Sequence, residues 1–188
     1  MTRKHLLALG ATVFLAACGG GDDKDPTGPG NPGQPGFSAT VTGDLEGDMN
    51  GTASFAQVTD PDLGSVFQLT FTETGDEGTM LFVTPGQRPG QGTYDVVASE
   101  EPAAGEFVIV IYSGDPDDPD AFFLGQAGTV TFSASSGNQV KGTFEFDALG
   151  VVMEDPETEL AVTVSGSFTA NAGAPGGVIS DLKLEPAR

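Results

Sequence analysis

After Cys18 the chain never runs more than ten residues without a Gly or a Pro, and that longest run, Ser65–Thr74, alternates apolar with polar residues. A helix of ordinary length, about 11–12 residues, finds no uninterrupted stretch. Gly and Pro inside a helix cost roughly 1 and 3 kcal/mol each. With 28 Gly and 13 Pro spread over 188 residues, the chain is confined to short extended segments joined by turns.

The apolar pattern agrees. Leu160, Val162, Val164, Phe168 and Ala170 fall on one parity, with Glu159, Thr163, Ser165, Ser167 and Thr169 on the other. That period of two marks a half-buried strand. Val140, Phe144 and Phe146 repeat it, as do Val130, Phe132 and Ala134, Phe67, Leu69 and Phe71, and Phe37, Ala39 and Val41. Strands are expected over 37–43, 52–58, 65–73, 79–84, 92–98, 105–113, 121–126, 128–135, 139–148 and 158–170. Turn signals separate them at Asn50-Gly51, Asp62-Leu63-Gly64, Gly75-Asp76-Glu77-Gly78, Pro85-Gly86 and Ser136-Gly137-Asn138. The expected fold class is all-β, an antiparallel β-sandwich or β-barrel of about ten strands.

Two segments are apolar on both parities: Met80-Leu81-Phe82-Val83 and Phe107-Val108-Ile109-Val110-Ile111. Such a strand needs cover on both sides, or else one face is a contact surface. The tail Val178–Leu184 is a candidate cover. A unit of Gly-Thr leading into a Phe strand recurs at Gly51, Gly78, Gly128 and Gly142. Its spacing is irregular, which excludes a solenoid.

The N-terminus has a different character. Arg3 and Lys4 precede the short apolar run Leu6–Ala17, which ends in Leu15-Ala16-Ala17-Cys18. The run is too short to span a bilayer and has the proportions of a signal-peptide core. This segment resembles a bacterial lipoprotein signal with its lipobox. The resemblance implies cleavage before Cys18 and acylation of Cys18, with palmitate-type chains anchoring the protein in a membrane. Residue 19 is Gly rather than Asp, which in that family favours the outer membrane where a cell has two. Asp22-Asp23-Lys24-Asp25 also resembles acidic export tags of surface lipoproteins, but is better read as a solvated linker cluster. Gly19–Gly36 holds no apolar run and is expected to stay disordered. Fully stretched, it reaches about 60 Å at about 3.3 Å per residue. Gly128–Ala170 resembles the C-terminal part of uncharacterised small β-domain lipoproteins, which implies no catalytic residues. The organisation expected is a signal peptide at 1–17, a lipidated Cys and linker at 18–36, a β-domain at 37–172 and a C-terminal tail at 173–188, docked or free.

Composition removes several chemistries. The single His, His5, and the single Cys, Cys18, both lie at the leader end. A processed chain therefore holds no His and no free thiol for nucleophilic triads, zinc, haem or iron–sulfur ligation. No disulfide can form within it. The formal charge is −20, with 27 Asp and Glu against 7 Lys and Arg. Such charge repels phosphate backbones, so nucleic acid is not an expected partner. Screening by salt, a bound cation or a basic partner would relieve the self-repulsion.

The densest chemistry is Asp115, Asp117, Asp118 and Asp120, within Gly114-Asp115-Pro116-Asp117-Asp118-Pro119-Asp120. Four carboxylates in six residues can supply oxygen ligands for Ca²⁺, or simply cap a hairpin in solvent. No other cofactor is expected. Glu46, Asp48, Asn50 and Gly51 mimic the start of a calcium loop, but Gln57 stands where its closing Glu belongs, and a tight turn at Asn50-Gly51 accounts for the same residues. Paired carboxylates also serve glycoside hydrolases. Sugar clefts usually offer aromatic platforms, however, and the chain has no Trp and only Tyr94 and Tyr112. The expected protein is a lipid-anchored, non-enzymatic envelope module binding a protein, glycan or small ligand. The alternatives are a structural envelope lipoprotein or a carboxylate-based hydrolase.

Overall fold

The computed structural model describes residues 35–60, 64–75, 78–115 and 118–173. Cys18, the linker up to residue 34 and the tail from residue 174 lie outside the described residues, as do Asp62, Asp76, Glu77 and Asp117.

Among the described residues nine strands follow in chain order: β1 Gly36–Gly43, β2 Gly47–Asp60, β3 Gly64–Glu73, β4 Gly78–Pro85, β5 Gly92–Val97, β6 Val108–Asp115, β7 Asp118–Ser136, β8 Gln139–Val152 and β9 Asp155–Ala172. They form one sheet in the order β5-β7-β6-β4-β3-β2-β1-β9-β8, and β8 pairs back onto β7. The sheet therefore closes on itself as a barrel, which leaves no long free edge. Every neighbouring pair in this ring is antiparallel. Among the described strands, a parallel pairing joins the end of β9 to β2, at Ser54↔Asn171 and Phe55↔Ala172. Strands β5 and β6 share one edge of β7. β5 pairs with its residues 127–132 and β6 with 118–124, so the two act as one interrupted wall strand.

The expected all-β class is thus present, as a closed barrel rather than a sandwich, with two corrections to its strands and turns. Residues 121–126 and 128–135 are a single strand: Gly125–Gly128, read as a break, is a bulge where the register to β8 shifts. The extra residue bends the long strand around the barrel wall without ending it. Asn50-Gly51 is not a turn but lies inside β2, paired with Ser38 and Phe37 on one side and, at Gly51, with Glu73 on the other. The turn falls earlier, at 44–46, following Gly43 with φ +119°. The expected hairpin at Ser136-Gly137-Asn138 is present, with Ser136 facing Gln139 and Gly137 at φ +54°.

The interior is filled with aromatic rings. Phe67, Phe71, Phe82, Phe107, Phe132 and Phe146 have at most 1% of their surface exposed. Their rings meet mostly edge to face, as at Phe71–Phe82 (4.8 Å between centroids) and Phe82–Phe144 (5.1 Å), the arrangement favoured by the ring quadrupole. Two segments, Gly142-Thr143-Phe144 and Gly166-Ser167-Phe168, show how such large side chains fit. In the β8–β9 register Gly142 faces Phe168 and Phe144 faces Gly166. A Cβ on Gly142 would stand 2.8 Å from Phe168 Cζ, and one on Gly166 would stand 2.6 Å from Phe144 Cζ. Each ring lies over the bare backbone of the facing glycine, an arrangement that stabilises glycine in a sheet.

The direction of each strand sorts the turns between two ends. The chain enters at Gly36 and leaves β9 at Ala172 on one end, beside the β7–β8 turn, where Ala172 N donates to Asn138 O at 2.9 Å. The opposite end carries the turns β1–β2, β3–β4, β6–β7 and β8–β9.

Candidate functional site

The outer wall, and not the interior, carries the accessible chemistry. On β1, β2, β5, β7, β8 and β9 alternation places small polar residues outward, and the register then lines them up across strands. Asn50, Ser38, Ser167, Thr143, Thr131 and Thr93 form one row across β2, β1, β9, β8, β7 and β5. Asp48, Thr40, Ser165, Glu145, Thr129 and Asp95 form the next. Hydroxyls are hydrogen-bonded within this face: Thr93 Oγ1 and Thr131 Oγ1 lie 3.0 Å apart, and Thr40 Oγ1 donates to Asp48 Oδ1 at 2.9 Å. Thr163 Oγ1 donates to Asp147 Oδ1 at 2.7 Å just beyond the second row. A shallow open groove runs over β2, β1 and β9 between Asp48, Asn50, Ser38, Thr40, Ser165 and Ser167. The face offers oxygen acceptors and hydroxyls of both senses, with carboxylates held in place by threonines. That set suits cations and hydrogen-bond donors.

A second shallow depression lies at the end where the chain enters and leaves, between Phe55, Gln57, Phe67, Gln87 and Arg88. Its guanidinium is already engaged. Arg88 Cζ sits 5.6 Å from the Phe55 ring centroid, and Nη1 donates to Gly137 O at 2.7 Å. With Ser135 Oγ donating to Pro89 O and Gln91 Nε2 donating to Ser133 O, this arginine ties the 86–91 loop to the β7–β8 hairpin. These contacts give it a structural part.

The acidic loop falls at the β6–β7 hairpin, at the other end. Asp115 pairs with Asp118, and Asp118 and Asp120 are exposed on one face of β7. Asp117 lies outside the described residues. Met153 N donates to Asp120 O at 2.8 Å, joining this hairpin to the β8–β9 turn. Among the described residues, no group of three or more His, Cys, Asp or Glu is placed to hold a metal ion. Glu46, Asp48 and Asn50, the calcium-loop mimic, lie at or within an extended strand. Alternate residues there are about 6.6 Å apart along the chain, so they line a wall and do not converge on a centre.

Both barrel ends carry acids: the 98–107 loop, with Glu100, Glu101 and Glu106, lies beside Thr84 and Gly86 at the end where the chain enters. Asp44 and Glu46, Asp115 and Asp118, and Glu154 and Asp155 occupy or flank three turns at the far end. Arg88 and Lys141, the only bases between residues 25 and 182, sit toward the end where the chain enters. The polar rows escaped the sequence reading because their signal, a Ser or Thr at every second position, is also that of any half-solvated strand. Only the register shows that they align.

The fold and its surface define a closed antiparallel β-barrel with an aromatic interior and an outer wall that is polar and acidic over β1, β8 and β9. No family model, no curated protein and no solved structure matches this chain.

Proposed function

We propose that this chain is a lipid-anchored cell-envelope protein whose barrel is a non-enzymatic interaction module, binding through its outer wall. The observation that carries the reading is the packed interior. Phenylalanines occupy the volume where ligand-binding barrels keep their cavity. Exterior binding then falls to the hydroxyl and carboxylate rows, whose chemistry fits a partner presenting basic or hydrogen-bond-donating groups. The anchor reading rests on the Leu15-Ala16-Ala17-Cys18 lipobox.

Two measurements test the reading. Mass spectrometry of the mature protein is expected to find an acylated Cys18 at the N-terminus, and Cys18→Ala to leave an uncleaved or mislocalised chain. An unmodified N-terminus elsewhere contradicts the anchor. A photo-crosslinking residue at Ser165 in cells is expected to give a discrete adduct that one at Glu100 does not. A diffuse or absent adduct favours the purely structural envelope role.

A further inference from the structure

The outer wall has a second side that behaves differently. On β8 and β9 the outward residues Thr143, Glu145, Ser165 and Ser167 are exposed, as a solvated wall should be. On β2, β3, β4 and β6 the outward residues Ala56, Val66, Gln68, Leu81, Val83 and Val110 are buried, with 1–9% of their surface exposed. None of them belongs to the aromatic core cluster, so the barrel interior does not account for their burial. The register makes them contiguous: Leu81 faces Val110 and Thr70, and Gln68 faces Ala56 and Val83. This explains why the β4 and β6 segments are apolar on both parities. The inward set fills the barrel and the outward set meets a second layer.

We propose that this layer is the C-terminal tail, residues 174–188, docked through Val178, Ile179, Leu182 and Leu184. The chain leaves the barrel beside the patch. Gly173 N donates to Phe55 O at 3.0 Å, and a Cβ on Gly173 would lie 3.1 Å from Cβ of the outward residue Ser54. From Ser54 the row Thr70, Leu81, Val110 crosses three strand spacings, about 14 Å at about 4.8 Å each. The eleven residues 174–184 reach about 36 Å at about 3.3 Å each, enough to cross the patch and return. The tail is apolar where cover is needed, whereas Gly19–Gly36 has no apolar side chain to bury beyond its prolines. The leader Leu6–Ala17 is removed on the lipoprotein reading, and this step alone rests on that reading.

A photo-crosslinking residue replacing Leu81 in the full chain tests the docking, with one replacing Glu145 as control. The expected product is an intrachain link from position 81 to a peptide within 174–188, absent from the control. A link to a second copy, a link to residues 6–17, or no link above the control overturns the proposal. Intact mass shows separately whether the leader is retained, so failure of the anchor reading is distinguishable. As a second measurement, Val178→Asp with Leu182→Asp is expected to raise binding of an apolar-surface dye severalfold and to lower the melting temperature by several degrees. Parental values for both overturn it.

Discussion

Replacing Phe144 by Ala probes the packing that makes this barrel closed and solid. The ring is 3% exposed and meets Phe71, Phe82, Phe146 and Phe168 at centroid distances of 5.7, 5.1, 5.9 and 6.3 Å. It also covers the backbone of Gly166. Truncation removes the transfer free energy of the ring and leaves a cavity walled by four other rings, which cannot all collapse inward. A buried Phe→Ala change costs about 3–5 kcal/mol, against a total stability of about 5–15 kcal/mol for an ordinary domain. For a domain of this size, that loss lowers the melting temperature by roughly 10–20 °C. Urea unfolding followed by circular dichroism is the assay, since an unchanged slope with a lowered midpoint reports stability alone. Thr143→Ala, on the exposed face of the same strand, is the control and should stay within about 0.5 kcal/mol of the parent. If Phe144→Ala melts within a degree or two of Thr143→Ala, the ring is not wedged in the core and the β8–β9 register is wrong.

Gly142→Ala is expected to cost about 1–3 kcal/mol or more in the same assay, because its Cβ would lie 2.1 Å from Thr131 O, a backbone atom that cannot swing aside. Gly137→Ala, with nothing within 4 Å but φ +54°, should cost only about 1–2 kcal/mol, and Gly137→Asn less, since Asn tolerates that backbone region. Melting in matched ionic strengths of Ca²⁺, Mg²⁺ and NaCl should stabilise the protein alike, through screening of its −20 charge. A Ca²⁺-selective rise that vanishes in the Asp117→Asn, Asp118→Asn double variant would instead establish a specific site at the β6–β7 hairpin.

Strand content was legible from the sequence because period-two alternation and the density of Gly and Pro are local properties. They exclude helices and assign an inward parity to Phe132, Phe144, Phe146, Val164 and Phe168, all of which are buried. Turn positions were partly legible. Ser136-Gly137-Asn138 followed from local chemistry, but Asn50-Gly51 carries the same kind of signal inside a strand. There its conformation is decided by pairing with β1 and β3, which no local reading contains. The bulge at Gly125–Gly128 misled for the same reason. Glycine marks both an end and a bend, and only the partner strand distinguishes them.

The site depended on tertiary structure more heavily still. Each Ser or Thr of the outer rows is an unremarkable strand residue, and their alignment across six strands is a property of register and closure. Likewise the sequence showed that Leu81, Val83 and Val110 need cover, since apolar side chains on both parities cannot all face one core. Which of their faces looks inward, and that the other lies beside the point where the chain leaves the barrel, depends on contacts between residues far apart in the chain.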